Sequence, residues 1–158
     1  MRVSQYMSRS VLTIAPQTEF HRAFDLMHSR RIHHLPVVEG DRLVGIIAER
    51  DVLLAAANFG SAEVPVAEIM RNAPVCVSES ARLRRAARLL VDNHIGCLPV
   101  LSKRKVLVGI ITETDIFKIT AGMLHARPAA RRTANKAASL AKRKTTRKSV
   151  RKGVTKTK

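Results

Sequence analysis

The 158-residue chain lacks features that several classes of protein need. Its two cysteines, Cys76 and Cys97, are too few for a disulfide framework and are not spaced like a metal site, which favours a reducing compartment such as the cytoplasm. No run approaches the 18 consecutive apolar residues of a transmembrane helix, and the opening MRVSQYMSRS has no apolar signal core. We therefore expect neither membrane insertion nor secretion.

Motifs of catalysis are also missing. The sequence has no G-x-x-x-x-G-K-[ST] phosphate loop, no G-x-G-x-x-G, no H-E-x-x-H and no G-x-S-x-G. The six histidines do not combine with cysteine at zinc spacing, so we expect no metal at His33-His34. The chain is predicted to be neither an enzyme nor a holder of a catalytic cofactor.

Negative charge is absent from one end of the chain. Residues 1–125 hold 16 Lys and Arg against 12 Asp and Glu, whereas residues 126–158 hold 13 Lys and Arg and no acid. The net charges are +4 and +13, which together give the +17 of the whole chain. Residues 1–125 show no clear basic stripe in the sequence. The tail, with almost no large apolar residues, is expected to be disordered.

A flexible polycation gains free energy by releasing counterions from nucleic acid. The tail has no aromatic side chains, so we predict sequence-independent contact with phosphates rather than base stacking. Two other interpretations are that the tail only makes the chain more soluble, or that it binds an anionic membrane. Membrane binding is less favoured because the tail has no apolar anchors near its charges. The residues predicted to bind nucleic acid are Arg131, Arg132, Lys142, Arg143, Lys144, Arg147, Lys148, Arg151 and Lys152.

What the chain does contain is an internal duplication. Met7 to Asp51 repeats as Met70 to Asp115 at an offset of 63 residues, which becomes 64 after one insertion in a turn. The segments IHHLPVV and LVGIIAERD recur as IGCLPVL and LVGIITETD. Only two copies of so long a period indicate two units that close on each other rather than an open array.

The sequence of each copy predicts five elements in the order strand, helix, strand, strand, helix. Val11–Ile14 forms a short strand, Thr18 offers a helix cap, and apolar residues follow at helical spacing in both copies. The segments 35–38 and 43–47 form a hairpin with a four-residue turn, and helices end before Gly60 and at Gly122. The predicted fold class is α+β: two β-α-β-β-α repeats packed with pseudo-two-fold symmetry, at residues 1–60 and 61–125, plus the tail 126–158.

The repeated h-P-V and G-h-h-T-x-x-D patterns resemble a tandem pair of cystathionine β-synthase (CBS) domains over roughly residues 3–124. The resemblance implies a regulatory module that binds adenine nucleotides or related adenosyl ligands between the repeats and forms a disc-shaped homodimer. The second apolar flanks of the predicted helices, Leu26 with Met27 and Leu89 with Leu90, would favour such a dimer.

In Gly109–Asp115, Thr112 and Asp115 are spaced as a capping box at a helix start. The resemblance gives the same pair a second role, in which the carboxylate binds the ribose and the hydroxyl assists. It also implies that the first repeat completes this site with its first strand and a basic stretch near phosphate. The predicted main site comprises Thr13, Ile14, Ile32, His33, His34, Arg50, Thr112, Thr114 and Asp115.

The matching site in the first repeat is predicted to be weaker. Asp51 keeps the ribose partner, but Ala48 stands where the pattern has a hydroxyl. The residues that the second repeat would lend to this site carry no positive charge: Cys76, Val77, Gly96 and Cys97. The predicted ligand is AMP, ADP or ATP. The alternative function is a nucleic-acid-binding structural protein whose CBS pair serves only for dimerisation.

Overall fold

The computed structural model describes residues 1–127, so the tail and the contacts predicted for it lie outside the described residues. Two three-stranded sheets, each flanked by helices, make up this part of the chain. The predicted α+β fold of two repeats is confirmed. In chain order the elements are a 3-10 helix (Val3–Gln5), α1 (Phe20–Arg30), β1 (His34–Glu39), β2 (Arg42–Ala48), α2 (Glu49–Phe59), α3 (Val66–Ile69), β3 (Arg71–Asn72), β4 (Val77–Ser78), α4 (Leu83–Asp92), β5 (Cys97–Leu101), β6 (Leu107–Thr112) and α5 (Glu113–Thr120).

Helices α1 and α4 are amphipathic as the spacing predicts, and each buries three residues of its apolar side against its sheet. The predicted cap at Thr18 is wrong, because α1 begins one residue later with Glu19 at the N-cap and no side-chain cap hydrogen bond. Thr18 belongs instead to a turn, where its amide donates to the Ala15 carbonyl at 3.1 Å. Its own carbonyl accepts from Val66 at 2.7 Å.

The hairpin of the first repeat is tighter than expected. Glu39 pairs with Arg42, so the turn between β1 and β2 contains two residues, not four. Gly40 occupies the left-handed region at φ +59°, which glycine adopts without steric cost. The same register shift recurs at Val37/Val38 and at Val100/Leu101. The duplication therefore extends to the backbone irregularities.

The two repeats exchange their first segments. The expected strand over Val11–Ile14 is reduced to a single bridge from Ile14 to Val37. The residues before it cross to the other repeat, where Ser8 pairs with Ile110 of β6. Reciprocally, β3 leaves the second repeat and pairs with β2 of the first. Each sheet therefore gains an edge partner from the other half.

The cores follow the same exchange. One core combines the first repeat with Val64 and Val66, and the other combines the second repeat with Val3, Tyr6 and Met7. Each repeat thus contributes a segment to the core of the other repeat. Interlocking of this kind holds the two repeats in one fixed arrangement.

Glycines make room for the exchanged segments. A Cβ on Gly109 would lie 2.6 Å from the Met7 sulfur and 3.0 Å from the Ser8 carbonyl oxygen. Gly45 meets Met70 in the same way on the other sheet. Both glycines precede the predicted ligand residues in their repeats. Close packing against Met7 and Met70 therefore explains why the G-h-h pattern has a glycine at this position.

The exposed side of α4 is basic. Arg84, Arg85 and Arg88 all lie on it, while Leu83 and Leu90 face the core. The expectation that residues 1–125 carry no clear basic stripe is therefore wrong for this helix. The arginines lie on one side of the helix because its apolar residues pack on the opposite side. A count of charges over residues 1–125 does not show this arrangement.

Candidate functional site

A cleft of about 370 Å³ opens between the two repeats. This volume lies within the range of small-molecule sites, roughly 300–1,000 Å³. Both halves of the chain contribute to it, so a bound molecule would contact the two repeats at once. Its lining residues are His34, Ile46, Ala48, Arg50, Asp51, Arg71, Ala73, Pro74, Val75, Asn93, His94, Ile95, Gly96, Cys97 and Pro99.

Asp51 stands at this cleft in the first turn of α2. Its Oδ2 accepts a hydrogen bond from the Ala48 amide at 3.0 Å, which caps the helix. Its Oδ1 accepts none from the residues that the structure describes. That oxygen is therefore available to a ligand hydroxyl, and the helix N-terminus behind it favours a negative group.

Positive groups surround this one carboxylate. Arg50 and Arg71 both line the cleft and are exposed to solvent. His34 and His94 add imidazoles. Burial lowers the pKa of His34, with His33 lowering it further, while the Asp51, Glu113 and Glu49 carboxylates oppose the shift. Burial therefore favours the neutral form of His34, and the permanent positive charge of the cleft comes from the two arginines.

The remaining wall is apolar and contains a thiol. Ile46, Val75 and Pro99 line the cleft together with Cys97. Burial raises the pKa of Cys97 to about 12, and the nearby Cys76 adds to the rise. Burial also raises the pKa of Cys76, whose Sγ donates to the Pro74 carbonyl at 3.2 Å. Both thiols are therefore neutral, and Cys97 behaves as part of the apolar surface.

Across the pseudo-two-fold axis, Thr112 and Asp115 form the expected capping box. Asp115 Oδ2 accepts from the Thr112 amide at 2.9 Å and from Thr112 Oγ1 at 2.8 Å. The Asp115 amide donates back to Thr112 Oγ1 at 3.2 Å. The hydroxyl proton is thus used within the helix cap, and Thr114 beside it is exposed.

The histidine pair divides between two environments. His34 faces the centre of the molecule, and a Cβ on Gly96 would lie 3.2 Å from its ring. His33 points away from the cleft, where its Nδ1 lies 2.7 Å from Glu49 Oε2. This contact is an ion pair when His33 is protonated.

The structure brings together some of the residues predicted for each site and separates others. Asp51, Gly96 and Cys97 meet at the cleft, joined by His34 and Arg50, which were assigned to the Asp115 side. Other predicted residues do not line the cleft. Thr13 is exposed, Ile32 packs against the first core, Cys76 is half-buried, and Ile14 and Val77 are buried in the two cores.

Three charged or polar lining residues escaped the sequence reasoning: Arg71, Asn93 and His94. Arg71 reaches the cleft because β3 crosses to the first sheet, and it directly follows Met70, where the duplication begins. His94 adopts a left-handed φ of 51° after α4, as Arg31 does at 52° after α1. Equivalent positions after both helices could have suggested a shared site-forming turn.

Within residues 1–127, no three His, Cys, Asp or Glu side chains are grouped as a metal site. No helix among these residues is long and apolar enough to cross a membrane.

Known proteins share the sequence pattern of this chain. The family model for the CBS domain matches residues 3–58 and 66–122. A CBS domain-containing protein of Dictyostelium discoideum is 33% identical over 138 residues, covering 80% of this chain and 95% of that protein. Inosine-5'-monophosphate dehydrogenase of Korarchaeum cryptofilum is 32% identical over 116 residues, but the match spans 24% of the enzyme. This chain thus corresponds to nearly all of one relative and a minor part of the other.

Solved structures share the fold. The CBS domain pair of protein MJ0100, in complex with 5'-methylthioadenosine and S-adenosyl-L-methionine, superposes with a TM-score of 0.71 at 26% identity. CBSX2 in complex with AMP gives a TM-score of 0.69 at 25% identity. Each match covers 77% of this chain and 97% of the other.

Proposed function

This chain belongs to the CBS-domain family, and we propose that it is a regulatory, non-catalytic module whose inter-repeat cleft binds an adenosine nucleotide. The observation that carries the proposal is the cleft itself. It presents a carboxylate oxygen, two arginines and apolar walls to one volume of about 370 Å³. The solved relatives in complex with AMP and with adenosyl ligands support the same ligand class.

Each part of the cleft suits one part of such a ligand. The free Asp51 Oδ1 can accept hydrogen bonds from vicinal ribose hydroxyls, and a hydrogen bond to a charged group contributes about 1.5–3 kcal/mol. The apolar wall around Ile46, Val75 and Pro99 accommodates a flat base. Arg50 and Arg71 line the same cleft and supply positive charge for a phosphate group, which guanidinium binds in a bidentate manner.

Charge selects among the adenosyl ligands. Two arginines and one carboxylate line the cleft, which favours an anionic ligand such as AMP, ADP or ATP over the cationic sulfonium of S-adenosylmethionine. Binding would connect the two repeats and shift the population of conformations that a partner recognises, in proportion to the difference in affinity. The Asp115 side, which the sequence predicts as the main site, stays a prediction of the same chemistry.

The test is thermal unfolding with a nucleotide panel. At about 100-fold excess over Kd, AMP or ATP should stabilise the fold by about 2.7 kcal/mol, which raises Tm by several degrees. Asp51→Asn keeps an oxygen for the Ala48 amide but loses the charge, so affinity should fall roughly 10- to 100-fold. Asp115→Asn is the matched control, since it makes the same change at the other cap.

Two outcomes would count against the proposal. If no adenosyl compound at millimolar concentration moves the Tm of the wild-type chain, the cleft is not a nucleotide site. If Asp115→Asn abolishes the shift while Asp51→Asn leaves it intact, the ligand binds on the other side of the axis. The panel also separates this function from the structural alternative, in which the CBS pair only dimerises.

We further propose, from composition, that the tail binds nucleic acid. Its 13 basic residues without any acid match a polyanion, and binding of this kind depends steeply on salt. The cytoplasm, indicated by the two free cysteines, is the proposed location.

A further inference from the structure

Helix α4 presents a row of arginines to solvent. Arg84 and Arg88 are four residues apart, and Arg85 and Arg88 are three apart, so all three project from one side of the helix. The opposite side is fixed in the second core by Leu83, Ala86 and Leu90, which prevents the helix from rotating the arginines away. The row is therefore a permanent feature of the folded surface.

The N-terminal segment extends this row. Arg2 bridges to Arg82, which is the N-cap of α4, and Arg2 Nη1 donates to the Ser80 carbonyl at 3.0 Å. We define the arginine face as the exposed side of α4 with these two additional residues. Its members are Arg2, Arg82, Arg84, Arg85 and Arg88.

Counter-charges do not neutralise the arginine face. Among residues 1–127, the one side-chain ion pair within 4.0 Å is His33 with Glu49, in the other repeat. The nearest acids along the sequence are Glu79 and Asp92, at either end of the row, and neither pairs with an arginine. All five guanidinium groups thus meet solvent without a carboxylate partner among the described residues, although Arg2 uses Nη1 on the Ser80 carbonyl.

The basic tail begins beside this face. The amide of Arg127, the last described residue, donates to the Gln5 carbonyl at 2.8 Å. Gln5 is in the same short helix as Val3 and directly follows the segment that carries Arg2. The last described residue thus lies close to the segment that carries Arg2.

The corresponding surface of the first repeat differs. At the 63-residue offset, Arg84, Arg85 and Arg88 correspond to His21, Arg22 and Asp25 on α1. These three are also exposed, but their net charge is zero when His21 is neutral. The arginine face is consequently a property of the second repeat alone, and the duplicated fold does not require it.

We propose that the arginine face binds the phosphate backbone of nucleic acid and forms a structured extension of the tail's binding surface. Arginine suits this role because its planar guanidinium donates paired hydrogen bonds to phosphate oxygens. Insertion into a membrane is disfavoured because α4 keeps its apolar side in the core and carries no aromatic anchor. The inference extends the proposed nucleic-acid binding of the tail and is independent of the nucleotide cleft.

The experiment compares two triple variants of the full chain, each lowering the net charge by three. One carries Arg84→Gln, Arg85→Gln and Arg88→Gln on the arginine face. The control carries Arg22→Gln, Arg30→Gln and Arg42→Gln, which are exposed positions of the first repeat. Glutamine has nearly the helix propensity of arginine, so both variants should fold.

Binding to a short labelled DNA duplex is measured across about 50–200 mM salt. Each lost phosphate contact makes the log–log slope shallower by about 0.9, so the arginine-face variant should lose roughly 2–3 from its slope. The control should keep the wild-type slope within about one contact. AMP-dependent stabilisation should be the same in both variants, which keeps this result separate from the cleft.

Three results would overturn the inference. Equal losses in the two variants would show that net charge alone acts. A wild-type slope in the arginine-face variant would leave all binding to the tail. Loss of binding to phosphatidylserine vesicles, with DNA binding unchanged, would assign the face to membranes instead.

Discussion

At the scale of single residues, one carboxylate in each repeat caps a helix. Asp115 Oδ2 accepts from both the amide and the hydroxyl of Thr112, whereas Asp51 Oδ2 accepts only from the Ala48 amide. The missing hydroxyl at position 48 therefore leaves the Asp51 carboxylate with more acceptor capacity for a ligand. The sequence pattern shows only that Ala48 lacks the hydroxyl of Thr112. It does not show that the Thr112 hydroxyl donates its proton to Asp115.

Cys97 offers a test of burial at the cleft. Only the thiolate reacts with iodoacetamide, and with a pKa of about 12 roughly one thiol in ten thousand is ionised at pH 8. In a Cys76→Ser variant, labelling of Cys97 at pH 8 should be far slower than in urea. Because the pKa is raised, the folded-state rate should still increase about tenfold per pH unit from 8 to 10.

Mass spectrometry of the labelled chain measures both rates. In urea, where the pKa returns to the ordinary range, the rate should level off near pH 9. A folded-state rate that equals the rate in urea at pH 8 would show that Cys97 is not held in an apolar wall.

At the scale of elements, the exchanged segments connect the repeats. Met7 is 1% exposed and lies in the core of the second repeat, although the sequence assigns it to the first. Met7→Ala should therefore destabilise the fold by about 2–5 kcal/mol. Hydrogen exchange should accelerate at the Ile110 amide, which donates to the Ser8 carbonyl at 2.9 Å.

Met123→Ala is the matched control, since Met123 is 72% exposed. It should change stability by no more than about 0.5 kcal/mol. If Met7→Ala is equally mild, or if Ile110 keeps its protection, the N-terminal segment does not belong to the second core.

The elements that the sequence predicts are those with local causes. Helical spacing gives α1 and α4, and alternation around a glycine turn gives the β1–β2 hairpin. The exchange of β3 and Ser8 depends on pairs that are 25 or more residues apart, and no local pattern encodes it. Arg71 was missed as a cleft residue for this reason, whereas Asp51, Gly96 and Cys97 were found through the repeated motif.

At the scale of the whole molecule, exposed apolar surface lies on different helices from those expected. Met27 and Leu90 are buried within their own repeats, and Leu26 and Leu89 pack against the same cores. The most exposed leucine and phenylalanine side chains are on the last helix of each repeat: Leu53 and Leu54 on α2 and Phe117 on α5. Both helices begin near His34, whose pKa responds to Glu49 and to Glu113 at their first positions.

A two-fold homodimer, which stays a proposal, would cover these residues. Leu54 is 62% exposed and Phe117 is 68% exposed, and closed dimers bury apolar patches of this kind. We predict that light scattering gives the wild-type chain twice its 17.5 kDa mass at micromolar concentration. A variant with Leu54→Ser and Phe117→Ser should give the monomer mass, because it removes the apolar surface without touching either core.

The control for the dimer is Val91→Ser. Val91 is 70% exposed but lies on α4, next to the arginine face and not on the helices that end the repeats. This variant should stay dimeric, since an isolated exposed apolar side chain has no partner to lose. A wild-type monomer would contradict the proposal outright, and dissociation by Val91→Ser alone would move the interface to α4. That second outcome would also bury the arginine face between subunits, so the two surfaces cannot both be assigned to α4.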